Sequence, residues 1–470
     1  MSRSHQNRIA IIGSGFLGLT LALRLSEAGA KVTVYESAAE IGGLAGAWQI
    51  GDAVWDKHYH VTLLSDRFTR KIVEEIGLGD EFEWVETKTG FYTDGKLVSM
   101  SNALEFLKFP SLGLTGKFRL GATIFYASKV KDWKHLEKIS VEEWLIKLSG
   151  KRTFEKMWKP LLKAKLGEAY RETSAAFIWA TIQRLYAARN SGLKKEMFGY
   201  VRGGYARVLQ KFAAALREKG VRIRLNAKVE KIEKLKDGKV KVFAAARTEK
   251  FREKTKINSL RNLSEVAVLS VPSASAAADS SAFEFDSVIL TCPANIAAKI
   301  CPQLSEAEKA KLENVKYQGI VCASVLLKNS LSDFYVTNIT DETPFTGIIE
   351  MSALVDKKEF GGNALVYLPK YVAPNDELFE KTDAEIEEIF TRELEKMYAH
   401  FRRKDVVAFK VSRVRQVFPI PTIGYSQDLP AAKTSLENVF VINSAHIVNG
   451  TLNVNETVQL AEKFFEENFK

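Results

Sequence analysis

Cysteine is scarce in this 470-residue chain: Cys292, Cys301 and Cys322 are all it has, with no C-x-x-C pair and no Cys/His spacing of a metal site. That argues against a disulfide framework, and the thiols read as small core residues in a reducing compartment. Histidine is sparse as well, six in all. The only close pair, His58 and His60, has no third ligand at suitable spacing, so no metal is expected. Long hydrophobic runs are missing. The longest, Ile9 to Leu23, is interrupted by three glycines and ends at Arg24, which does not suit a spanning helix. The opening MSRSHQNR carries no apolar core of a secretory signal, and a cytoplasmic protein is expected. There is no internal repeat and no motif for nucleic acid, and nothing in the sequence sets the oligomeric state.

What is present describes a globular protein: 46% hydrophobic and 27% charged residues, over a length that calls for two interleaved domains rather than one core. The net charge of +11 favours anionic partners such as phosphorylated substrates or anionic lipid surfaces. Basic residues are dense from Lys108 to Arg171, interleaved with Phe109, Phe118, Phe125, Trp133, Trp144 and Trp158. Solvated faces of amphipathic helices account for such a pattern. So does peripheral docking on an anionic membrane, from which an apolar substrate would be drawn.

The most specific stretch is RIAIIGSGFLGLTLALRLSEAGAKVTVYESAAEIGGLAG, residues 8–46. An apolar strand meets Gly13-Ser14-Gly15-Phe16-Leu17-Gly18, a helical pattern follows, and a second strand ends at Glu36. Gly13 makes the turn off the strand, Gly15 admits a pyrophosphate to the backbone, and Gly18 lets helix and sheet pack closely. The helix N-terminus offers unpaired N–H groups to phosphates. Glu36, followed by Ser37, stands where a carboxylate accepts hydrogen bonds from an adenosine ribose and repels a 2′-phosphate.

Past Glu36, the doublet Gly42-Gly43 with Leu44 and Ala45 makes residues 8–46 resemble the FAD fingerprint of the flavoprotein superfamily that holds amine oxidases, protoporphyrinogen oxidase, phytoene-type desaturases and UDP-galactopyranose mutase. The resemblance implies FAD as cofactor, with the doublet passing under its pyrophosphate and ribityl chain. It continues in Arg202-Gly203-Gly204-Tyr205 and the segment after it, where Val229 matches a valine that touches adenine. It closes in residues 438–457, where Asn443-Ser444 replaces the usual Gly-Asp at the ribityl chain. There Val454 and Asn455, read as the cap of the last helix, would face the flavin pyrimidine.

The implied fold is α/β: a Rossmann-like FAD-binding domain of residues 1–60, 200–300 and 410–470, interleaved with a substrate domain of residues 61–199 and 301–409. The latter is expected as a mixed sheet with a helical cap over 101–198. Residues 244–283, rich in Ala, Ser, Lys and Arg, read as a flexible insertion. Phe82 to Met100 reads as a hairpin turning at Asp94-Gly95.

Two side chains are the candidates for catalysis. Trp55-Asp56-Lys57-His58-Tyr59-His60 resembles the family's D-x-G-P-H stretch beside the flavin, with Asp56 and His60 matching, and an imidazole there would orient substrate or carry a proton. Lys163, in Trp158 to Gly167, would stabilise reduced flavin by its charge. The expected activity is an FAD-dependent oxidoreductase taking a hydride from a C–N or C–C bond of a mostly apolar small molecule. Two alternatives are a non-redox sugar-nucleotide mutase, favoured if paired arginines from Arg184, Arg189 and Arg202 face the cleft, and a non-catalytic, flavin-bound, membrane-peripheral protein.

Overall fold

The computed structural model describes residues 7–189, 197–246 and 281–470. Arg8–Ile12 lies between Lys31–Tyr35 and Ser287–Leu290, parallel to both. With Arg222–Arg224 and Val439–Val441 at the edges, these strands form a five-stranded parallel sheet. The inner strands are apolar because both of their faces are covered, whereas the edge strand Arg222–Arg224 carries two arginines. Ile9 and Ile11 pack with Leu19, Leu21, Phe212 and Val458 from three helices, Phe16–Glu27, Gly204–Glu218 and Val454–Asn468. Ala10 and Ile12, on the opposite side of the pleat, pack with Ile232, Val242 and Ala297.

Those last residues come from a three-stranded antiparallel sheet, Ala227–Lys234, Val240–Ala246 and Ser281–Phe285, and from helix Ala294–Ile300. The pairing of Ala244 with Ser281 corrects the limits of the expected insertion: 244–246 and 281–283 are strand, and both of its ends sit on neighbouring strands. Its interior, 247–280, lies outside the described residues.

The second sheet has seven strands, in the order Val406–Pro419, Tyr317–Leu327, Ala364–Val372, Gly347–Glu350, Phe334–Ile339, Lys88–Thr93 and Lys96–Ser99. All eleven residues of Tyr317–Leu327 are buried. Helix Asp383–Met397, opened by a capping box between Thr382 and Glu385, covers one face through Ile386, Phe390 and Leu394. Val406–Pro419 pairs with Tyr317–Leu327, so its end belongs to this sheet although the expected range 410–470 groups it with the first. The stretch from Phe82 to Met100 also divides. Lys88–Ser99 is a hairpin turning on Asp94 and Gly95, both at positive φ, whereas Phe82–Glu86 pairs with Met197–Val201 in a separate small sheet.

The other face of the seven-stranded sheet packs against helices between residues 103 and 189. Lys151 to Leu166 runs as one helix with a π-helical stretch, Phe154–Trp158, that ends two residues before Pro160. Proline has no N–H to return to the preceding turn, and a widened turn absorbs that loss.

Candidate functional site

One cavity of about 2100 Å³ runs from the glycine-rich turn of the first sheet to the cap helices and the second sheet. Single-ligand pockets usually hold roughly 300–1,000 Å³, so it has room for a dinucleotide and a second molecule together. At its first end, Gly13 adopts φ +113°, and a β-carbon there would lie 2.6 Å from Thr291 Oγ1. A β-carbon on Gly18 would overlap the Gly13 carbonyl oxygen. Gly15, by contrast, would meet nothing within 4 Å. Open space therefore lies over the N-terminus of helix Phe16–Glu27, which has no side-chain cap and no acidic residue in its first turn. The chain offers an anion-binding cradle with its N–H groups unsatisfied by side chains, and it fits a pyrophosphate.

Glu36 ties this end together. Its carboxylate accepts hydrogen bonds from the Ser14 N–H (3.0 Å) and hydroxyl (2.7 Å), and from the Ala38 N–H (2.8 Å) and Ser37 hydroxyl (3.2 Å). Gly42 donates its N–H to the Ser14 carbonyl at 2.9 Å, which lays the glycine doublet against the fingerprint turn. Gly13, Ser14, Gly15, Phe16, Leu17, Glu36, Ser37, Gly42, Gly43, Leu44, Ala45, Val229, Asn443, Ser444 and Val454 all line the cavity, so fifteen sequence-distant expectations are brought together; Gly18 lies beneath them in the helix packing. Asn443 spends its amide on the chain itself, donating to the Cys292 carbonyl (2.9 Å) and accepting from the Ala445 N–H (3.0 Å).

His58, Tyr59 and His60 line the same cavity. His60 Nδ1 stands 3.6 Å from Asp56 Oδ2, and Asp56 Oδ1 accepts the Tyr205 N–H at 2.8 Å at the start of helix Gly204–Glu218. Burial holds the Asp56 carboxyl above its ordinary range, against the pull of His60 and the Tyr205 N–H. The His58 imidazole, 3.3 Å from Ser412 Oγ, is depressed to about 3 by burial, with His60 and Lys57 adding to the effect. It is therefore neutral at physiological pH, and His60 is the imidazole with a carboxylate beside it.

Two expectations are displaced. Lys163 does not line the cavity; it makes a 2.6 Å ion pair with Glu168, with both side chains substantially exposed. Lys165, two positions on, faces the cavity instead. The last helix is capped by Asn453, whose side chain accepts the Glu456 N–H at 3.0 Å, rather than by Asn455. Asn455 is buried, and its Oδ1 accepts the Phe68 N–H (2.9 Å) and the Thr69 N–H (3.4 Å), capping helix Arg67–Glu75 from outside. Sequence reasoning missed Thr291 to Pro293, Thr451 to Asn453, Tyr59 and Tyr371 as cavity residues. The proline turn after Leu290 was a signal for the first group, but Tyr371 sits in an unremarkable apolar strand and gave none.

Fold and site together define a dinucleotide-binding α/β protein with a second, largely apolar compartment that opens into the nucleotide cradle. The chain belongs to the flavin containing amine oxidoreductase family, which matches residues 18–453, and FAD is the cofactor that membership carries. It is 26% identical over 260 residues to a zeta-carotene desaturase of Synechocystis sp., covering 50% of this chain and 52% of that protein. It is 22% identical over 410 residues to a 15-cis-phytoene desaturase of Solanum lycopersicum, covering 83% of this chain and 64% of that one. The match thus spans less than two thirds of either relative. Among solved structures, an oxidoreductase from Methanosarcina mazei superposes with a TM-score of 0.72 at 16% identity, covering 98% of this chain and all of the other, a likeness of fold.

Proposed function

We propose that this protein is an FAD-dependent oxidoreductase of the oxidase or desaturase type, taking a hydride from a C–N or C–C bond of a mostly apolar small molecule. The observation that carries this reading is the single cavity joining a pyrophosphate cradle to an apolar chamber lined by Leu120, Ile124, Leu161, Ile178, Ile349 and Phe418. FAD, when bound, supplies the hydride acceptor. The chain's own contribution is position and dryness: cap helices and the second sheet enclose the substrate, and that orientation supplies much of the rate in such a reaction. His60, beside Asp56, is the group placed to orient substrate or move a proton at its ring nitrogen. Relatives that desaturate carotenoids favour the C–C bond.

The mutase reading lacks the arginine pair it needs among the described residues. Arg184 lines the cavity but is held by Asp66 at 2.9 Å, and Arg202 pairs with Glu83 on an exposed surface, while the side chain of Arg189 lies outside the described residues. Among the described residues no helix is long and apolar enough to cross a membrane. Peripheral contact has a candidate surface: Leu104, Leu107, Leu114, Phe118 and Phe125 are exposed on helices Ala103–Lys108 and Leu114–Lys129, whose Phe106, Leu120 and Ile124 line the cavity. From Phe106 to Lys131 there is no acidic residue and there are five basic ones; Lys117 is buried and donates to the Leu107 carbonyl, and the four exposed ones suit an anionic lipid surface. All three cysteines are unpaired, which suits a reducing, cytoplasmic setting.

The test is anaerobic: reconstitute the purified protein with FAD and add polyenes, porphyrinogens or amines in turn. Bleaching of the flavin band by one class identifies the bond oxidised. No bleaching by any of them refutes the reading.

A further inference from the structure

Lys165 is a lysine without a counter-ion in a largely apolar wall. Its Nζ donates to the Tyr371 hydroxyl at 2.6 Å and lies 4.0 Å from the centroid of the Tyr371 ring and 5.1 Å from that of Phe418. The Tyr371 hydroxyl in turn lies 2.8 Å from the Tyr59 hydroxyl. Lys165, Tyr371, Phe418 and Tyr59 all line the cavity beside Leu161, Leu162 and Val417. Among the described residues no carboxylate lies within ion-pair distance of Lys165. Aromatic faces compensate a desolvated ammonium only in part, and one hydroxyl uses one of its three N–H donors. Burial accordingly lowers the amine to about 7. A wholly hydrocarbon substrate would leave two N–H donors buried and unmet, which is costly. A carboxylate at that point would complete an ion pair and restore the ammonium.

We propose that Lys165, with Tyr371 and Tyr59, forms a carboxylate-binding subsite in the apolar chamber, so that the preferred ligands are long apolar molecules ending in an acid. The subsite rests on the oxidoreductase reading only for its role in catalysis; as a binding site it stands on its own geometry. Lys165 fixes one end of the ligand and thereby sets which carbon comes to lie beside His60, which lines the same cavity. It is a specificity-determining residue rather than a catalytic one.

The test uses the FAD-reconstituted protein with oleate and methyl oleate below micellar concentration, followed by quenching of tryptophan fluorescence, since Trp158 lines the same chamber. At pH 6.5 oleate is expected to bind at least tenfold more tightly than its ester, and the preference is expected to shrink above pH 8 as the amine deprotonates. Lys165→Met should abolish the preference while leaving affinity for the ester and the FAD content unchanged, and Lys165→Arg should retain it. Equal binding of acid and ester, binding of neither, or an undiminished preference in Lys165→Met would overturn the subsite. Retained FAD with an undiminished preference in Lys165→Met refutes the subsite alone, whereas a Lys165-dependent preference in protein that takes up no FAD refutes the redox reading alone.

Discussion

At Glu36 one carboxylate holds the fingerprint turn through Ser14 and still faces the cavity. Glu36→Ala removes both functions, and FAD affinity is expected to fall at least tenfold, about 1.4 kcal/mol; full flavin occupancy after exhaustive dialysis would contradict its role. Asn455→Ala removes an external helix cap and should cost about 1 kcal/mol in urea unfolding, with Asn455→Asp largely restoring it. An unchanged midpoint in Asn455→Ala would show that the cap contributes nothing. Glycines and Glu36 were legible in the sequence because their constraints are local: a turn, a strand end, a spacing. Lys165 and Asn453 were not. Two positions along a helix turn a side chain by about 200°, so choosing Lys163 over Lys165, or Asn455 over Asn453, requires knowing which face meets the cavity.

Strand Gly347–Glu350 carries a polar group into the core. Glu350 is fully buried, accepts the Leu331 N–H at 2.9 Å and the Ser352 hydroxyl, and is pushed by burial up to about 7. Its ordinary value is 4.5, so the folded chain holds a proton that the unfolded chain releases. That contribution to stability is fully present below pH 4.5 and is lost as pH rises through about 7. Glu350→Gln is expected to flatten the stability profile between those limits, as read from urea midpoints at pH 4.5, 6 and 7.5; an unchanged slope would assign the pH dependence elsewhere. Periodicity and turn chemistry sufficed for the strand, helix and strand of residues 8–36 and for the hairpin turning at Asp94-Gly95. They could not assign Val406–Pro419 or Phe82–Glu86 to a sheet, since an apolar alternation names a buried face and not the partner strand.

Over the whole molecule, charge and exposed apolar surface coincide on the cap, where Leu114 and Phe118 are 77% and 78% exposed. The protein is expected to co-sediment with phosphatidylglycerol vesicles at low salt and to be released by about 0.5 M salt or by the double change Leu114→Ser and Phe118→Ser. Equal sedimentation with neutral vesicles would contradict docking by charge. The interleaving of two sheets from distant segments follows from the returning glycine motif near Gly203, and it brings residues from Gly13 to Thr457 to one cavity. That shared cavity is the centre of the account, and the visible absorption spectrum of the purified protein incubated with FAD and freed of excess tests it most directly. One equivalent of bound flavin, displaced when Gly15→Trp fills the open space above the helix N-terminus, is the predicted result. A colourless protein, or flavin bound equally well by that variant, would contradict it.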